Sequence, residues 1–162
     1  MSDDLQHIDL NSTADYVAAL DTLCSLAQHN LYVFEKDFGE AGFNSAARQD
    51  VLRRFLLANP ANCLHLLAHD PRTATQYCPR LMLLLRQFSH NMRIHQTPQH
   101  LQHLSEPFAV ADEDTYVRRF HFDDLRGIFA QNDPENTRVL KSRFEEMWAA
   151  SRAGVSATTL GL

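Results

Sequence analysis

The run EPFAVADEDTYVRRF, residues 106–120, decides how the sheet of this chain is finished. FAVAD (108–112) and TYVRRFHF (115–122) flank the acidic turn DEDT (112–115). Two strand-like runs joined by a short Asp-rich turn read as a hairpin, hence antiparallel strands added to a sheet. On the second strand the alternation of side chains puts Arg119 and His121 on one face, and Arg118 with Tyr116 and Phe120 on the other. One of these faces must meet the core or a cleft. An arginine at the strand's C-terminal rim suits an anion, and the plainer alternative is pairing with Asp112, Asp123 or Asp124.

Upstream of the hairpin the pattern differs. LYVFEKDF (31–38), CLHLLAHD (63–70) and NMRIHQ (91–96) are short apolar runs that suit strands covered on both faces. Between them lie helical repeats. Ala47, Val51, Leu52, Phe55 and Leu56 mark one helix, ended by ANPAN (58–62). Pro71 begins another, with Tyr77, Leu81, Leu84, Leu85 and Phe88 on its apolar stripe. A first helix follows a cap at Asn11 or Ser12 and carries Tyr16, Leu20, Leu23 and Ala27. Strand, helix, strand, helix, strand with short links predicts parallel strands joined by right-handed crossovers.

Downstream, LRGIFAQ (125–131) reads as one more strand, and NDPE (132–135) starts a last helix. Asn132 or Asp133 caps it, Pro134 takes the first helical position, and Val139, Leu140, Phe144, Met147 and Trp148 form its core-facing stripe. The expected architecture is α/β: a mixed sheet, mostly parallel, with an antiparallel hairpin and helices on both faces. Residues 1–12 are a loose arm or an edge strand around HIDL, residues 13–152 the domain, and residues 153–162 a tail that is loose or docked as an edge segment.

The totals narrow the classes. The chain has 162 residues, enough for one domain with a real core, and a formal net charge of −5, which does not favour nucleic acid or an anionic membrane. No segment approaches the roughly 20 apolar residues of a membrane helix. The acidic start MSDDLQHIDL lacks the pattern of a signal peptide, so the cytoplasm is the expected location. Cys24, Cys63 and Cys78 form no CxxC pair and read as free thiols.

Charge is unevenly spread. Residues 1–35 hold six acids and no Lys or Arg, whereas residues 71–105 hold Arg72, Arg80, Arg86 and Arg93 and no acid. These four arginines are a candidate basic face for phosphate or carboxylate oxygens. The alternative is that they pair with the N-terminal acids or lie on a solvated helix face. His90, His95, His100 and His103 crowd the middle, but loop histidines without acidic or cysteine neighbours read as polar rim residues, so no metal and no cofactor is expected. Nucleophile-elbow and phosphate-loop signatures are absent.

The order of LYVFEKDF, LLAHDPR (66–72), EPFAVADEDTYVRRF, FAQNDPE (129–135) and FEEMW (144–148) resembles one half of the phospholipase D superfamily. It is similar above all to a bacterial phospholipase D-like domain of unknown function, often found behind an N-acetyltransferase domain; none of these residues reads as an acetyltransferase portion. Active members carry His-x-Lys-(x)4-Asp, with the histidine as nucleophile on phosphorus and the lysine holding phosphate oxygens. With Asp112 as the aspartate, Ser105 stands at the histidine position and Pro107 at the lysine position. The family's Gly-Ser pair falls near Phe120 and His121, and its Asn-x-Glu is echoed by Asn132 and Glu135, one residue too far apart. His103, two residues before Ser105, shares its strand face.

The resemblance implies a non-catalytic domain that binds an anionic ligand, with His103, Arg118, Arg119 and His121 as candidates, or a protein partner such as an acetyltransferase. Because the superfamily pairs two halves across a shared cleft, it also implies a homodimer. The competing readings are a diverged phosphodiesterase or phosphotransferase using His103 or His121, and nucleic-acid binding through Arg72 to Arg93.

Overall fold

The computed structural model describes residues 5–155, so the last seven residues of the expected tail lie outside the described part. In chain order the elements are β1 (Gln6–Leu10), α1 (Thr13–Leu26), β2 (Asn30–Glu35), α2 (Ala46–Ala58), β3 (Cys63–Ala68), α3 (Arg72–Tyr77), α4 (Pro79–Gln87), β4 (Met92–Gln96), β5 (Phe108–Ala111), β6 (Thr115–Arg119), β7 (Gly127–Gln131), α5 (Pro134–Ala150) and β8 (Arg152–Val155). A single turn of 3-10 helix, Gln99–Leu101, lies between β4 and β5.

Local chemistry fixes the helix ends. The Ser12 and Ser45 hydroxyls accept the N–H of Asp15 and Arg48 at the starts of α1 and α2. At α5 the Asp133 carboxylate accepts the N–H of Asn136 and Pro134 enters the first turn, where its missing N–H costs nothing. The helix expected from Pro71 is two helices. Pro79 cannot donate to the preceding turn, so α3 stops and α4 starts afresh at Cys78, leaving Tyr77 65% exposed rather than in the core. Val139 also leaves its expected stripe and is exposed; Thr137, Leu140, Phe144 and Met147 are the buried residues of α5.

One eight-stranded sheet runs β1-β7-β6-β5-β2-β3-β4-β8. It is mixed but mostly antiparallel, which corrects the expectation of a mostly parallel sheet. Only β2–β3 and β3–β4 are parallel, the two pairs joined by helical crossovers. The remaining pairings, β1–β7, β7–β6, β6–β5, β5–β2 and β8–β4, are antiparallel. The reason is connectivity. β5 returns beside β2 through the long 97–107 segment and β5 to β7 form a meander, while α1 carries the chain from β1 to β2 and α5 from β7 to β8, so each terminal strand lands antiparallel on an edge.

Helices cover both faces. Leu31 and Val33 of β2 point into a core shared with α1, α2 and α4, through Leu20, Leu23, Leu52, Phe55, Leu81 and Leu84. Phe34 of β2 and Leu67 of β3 point the other way, onto Leu140, Phe144 and Met147 of α5. Among the described residues no helix is long and apolar enough to cross a membrane.

Candidate functional site

The carboxyl ends of β2 and β3 meet the segment that leads into β5. That segment is zipped to the hairpin's far strand: the N–H of Arg119 donates to the Pro107 carbonyl at 3.0 Å and that of Phe122 to the Ser105 carbonyl at 2.8 Å. Behind it His69, buried at the end of β3, bonds the Thr97 hydroxyl through Nδ1 and the Leu104 carbonyl through Nε2, each at 2.6 Å. Burial lowers the His69 pKa, so the neutral ring bridges these two partners. His69 thereby holds residues 97–104 against the sheet. A histidine closing the apolar run CLHLLA is the only trace of this in the sequence.

A cavity of about 310 Å³ opens here, between this segment and α5. Phe34, Phe108 and Met147 form its apolar floor, and His103, Ser105, Glu106 and Arg143 its polar side. Arg118 of β6 and Arg143 of α5 converge on one carboxylate: Arg118 Nη2 lies 3.1 Å and Arg143 Nη1 3.6 Å from Glu106 Oε2. Among the described residues Arg118 Nε is buried without a hydrogen-bond partner. Two cations on one anion leave a surplus positive charge at the cavity.

Of the positions picked out by the resembled motif, Ser105 lines this cavity, while Pro107 is buried and stands outside its lining. Asp112 sits at the opposite end of β5. Its carboxylate accepts the N–H groups of Gln28, His29 and Asn30 at 2.9, 2.7 and 3.0 Å, pinning the α1–β2 connection to the hairpin turn. Its φ of 57° is the left-handed conformation that Asp tolerates better than most residues.

The four candidate anion ligands do not gather. His103 lines the cavity and Arg118 acts on it through Glu106, but Arg119 points through the other face of the sheet. There its guanidinium lies 4.9 Å from the centroid of the Tyr16 ring and donates to the carbonyls of Asp124 and Phe122 at 2.8 and 2.5 Å. His121 does not share a strand face with Arg119, because β6 has ended; it is exposed on a turn and accepts the N–H of Asp123 through Nδ1.

Beneath Arg119 lies a buried acid that the sequence reading passed over. Glu35, the last residue of β2, is 5% exposed and takes a short hydrogen bond from the Tyr16 hydroxyl. Burial pushes its pKa up to about 8 against the pull of that bond and of Arg119, so at neutral pH the carboxyl is mostly protonated. Burial and the neighbouring Glu35 likewise raise the Tyr16 phenol.

Arg72, Arg80, Arg86 and Arg93 form no single face. Arg72 clasps Asp70 with two hydrogen bonds at the rim of the sheet, and Arg80 bonds the carbonyl of Asn44. Arg86 lies in the last turn of α4, whereas Arg93 alternates with the buried Met92 and Ile94 and therefore points to the sheet face opposite α4. The partners of Arg72 and Arg80 are local, Asp70 and the Asn44 carbonyl. Among the described residues no three His, Cys, Asp or Glu side chains come together as a metal site.

Solved structures with this arrangement of elements include a phospholipase D family member, Nuc from Salmonella typhimurium, with a TM-score of 0.68, 12% identity, and 93% of this chain against 98% of that one. NucT from Helicobacter pylori matches with a TM-score of 0.60 and 11% identity over 93% of this chain and 99% of that one. TrmBL2, an archaeal chromatin protein whose structure shows a novel mode of DNA binding, matches with a TM-score of 0.66 and 9% identity over 91% of this chain, which spans 54% of that protein. At these identities the likeness shows the fold, which is phospholipase D-like. No curated protein sequence matches. Residues 12–159 match the family described as Domain of unknown function (DUF7931), and the chain belongs to that family.

Proposed function

We propose that this domain is a non-catalytic binding module whose cavity beside Ser105 takes an anionic group. One observation carries the reading: Arg118 and Arg143 converge on the single carboxylate of Glu106, at the place where the resembled motif sets its histidine and lysine. An arriving carboxylate or phosphate displaces Glu106 or shares its two guanidinium partners, and the apolar floor of Phe34, Phe108 and Met147 takes whatever carries the charge. The anion is either a small molecule or an acidic side chain of a protein partner such as an acetyltransferase. Among the described residues no base bonds the Ser105 hydroxyl, Pro107 has no N–H to donate, and Asp112 is spent on backbone amides, so these positions offer a binding surface and no nucleophile–clamp pair.

The test is a titration of the purified chain with pyrophosphate and with a short acidic peptide, read by calorimetry, beside a phosphodiesterase assay on an activated diester. Binding of either anion without turnover supports the module. Diester cleavage that vanishes in His103→Ala or His121→Ala overturns it in favour of a diverged phosphodiesterase. Absence of any anion response overturns the anion site itself. Salt-sensitive binding of nucleic acid that survives Arg143→Ala would move the function to another surface.

A further inference from the structure

The two edges of the sheet are unlike. At one edge β8 meets β4 with a register break between Ile94 and His95, the kind of irregularity that spoils an edge for further pairing. At the other edge β1 keeps an unbroken register with β7 from Gln6 to Leu10, and among the described residues nothing pairs with its outer side. It carries no proline, lysine or bulge. Leu5 and Ile8 are 54% and 53% exposed, and only Leu10 of the strand is buried. An open, regular edge flanked by exposed apolar side chains is a template for another strand.

The sequence of β1 says which strand. In an antiparallel pair of identical strands related by a two-fold axis, directly opposed side chains share a sheet face, so the axis must pass beside one residue opposed to its own copy. Centred on Asp9, the pair opposes Asp9 to Asp9. Centred on His7, it opposes His7 to His7 and Asp9 to Leu5. Centred on Ile8, it opposes Ile8 to Ile8, His7 to Asp9 twice, and Gln6 to Leu10. The Asp9-centred register also matches Ile8 with Leu10, but it sets two carboxylates against each other; only the Ile8-centred register matches apolar with apolar and acid with imidazole together. Among the described residues the Asp9 carboxylate has no hydrogen bond or ion pair within its own chain, whereas the His7 ring reaches Asp133 through Nε2 alone, at 3.3 Å.

We propose that the outer edge of β1 is a self-association surface, taking β1 of a second copy antiparallel with Ile8 on the two-fold axis, so that one sheet runs through both copies. This surface is distinct from the anion cavity, since β7 and β6 separate β1 from β5, and both cavities stay open in the pair. A pairing of five-residue strands buries less than the roughly 1,200 Å² of a stable interface, so the association is concentration-dependent.

Sedimentation velocity over a concentration series tests it. The wild-type chain is expected to move from monomer to dimer. Ile8→Lys and Ile8→Glu are each expected to weaken the dimer at least tenfold, because each opposes like charges on the axis, and an equimolar mixture of the two variants is expected to dimerise again. Thermal melts of both variants should match wild type, since Ile8 is already half exposed; if either fails to fold, Asp9→Arg at its exposed position carries the test and is expected to weaken the dimer similarly. A wild-type chain that stays monomeric, a dimer that survives these substitutions, or a mixture no better than its components overturns the proposal. Anion binding by the Ile8→Lys monomer should equal that of wild type; its loss would overturn the separation of the two surfaces, while its absence in wild type would sink the anion site alone.

Discussion

The ring of Trp148 lies parallel to the ring of His95, with 3.8 Å between centroids and 8° between planes. His65 stacks on the same indole at 4.4 Å, so both imidazoles join the C-terminal end of α5 to the sheet. Burial, then the nearby His95 and Arg93, lower the His65 pKa from 6.5 to about 4. The ring must therefore charge on unfolding below pH 6.5. Stability from this stack is fully present above 6.5 and is lost as the pH falls toward 4. Melting temperature should drop across that window, and emission from Trp148, the only tryptophan, should change with it. His65→Phe keeps the stack without the titration and should flatten this part of the profile; an unchanged slope would exclude His65 as its source.

Glu35 should produce the opposite slope. Its folded pKa of about 8 lies above the ordinary 4.5, so the stability it contributes is fully present below 4.5 and is lost as the pH rises through 8. Glu35→Gln has no proton to lose and should hold its urea midpoint between about pH 6 and pH 9, while wild type declines. Equal declines in both proteins would show that the carboxyl is not held protonated.

Asp112 is expected to matter for folding and not for binding. Asp112→Ala removes three carboxylate-to-backbone hydrogen bonds and puts a less tolerant residue at positive φ, and should cost about 3 kcal/mol. Asp112→Asn, which keeps an acceptor and tolerates the left-handed backbone, should cost less. Denaturant unfolding separates them, and an Ala variant as stable as wild type would contradict the structural role.

At the cavity the sign of the effect distinguishes the two members of one ion pair. Glu106→Gln frees both guanidinium groups and should tighten pyrophosphate binding about tenfold, whereas Arg143→Ala should weaken it by a similar factor. Titration calorimetry reads both. Weaker binding in Glu106→Gln would mean that the carboxylate positions the arginines rather than competing for them.

The βαβαβ start and the β5–β6 hairpin were legible because apolar periodicity and turn residues are local signals. The strand directions were not. Nothing local in FAVAD says that it returns beside LYVFEK antiparallel, since that depends on where the 97–107 segment lands. Buried charge was equally hidden. Arg48 reads as a polar residue on a helix, yet it is 0% exposed, bonded to Asp21 and to the carbonyls of Ala41 and Val17. Gly42 stands against it at φ 84°, where a Cβ would come within 2.9 Å of Arg48 Nη2. Ser105 lines the cavity, on the segment that leads into β5. Glu106, Arg118 and Arg143 were not seen as a group, because they come from the approach to β5, from β6 and from α5.

The sheet order also fixes what can be attached to this domain. β1 and β8 sit on opposite edges with six strands between them, a span of about 34 Å at the usual strand spacing. A domain added before β1 and another added after β8 would therefore work on opposite flanks, each within reach of its own edge and out of reach of the other. Joining the two ends to make a circular permutant would take a bridge of at least about ten extended residues.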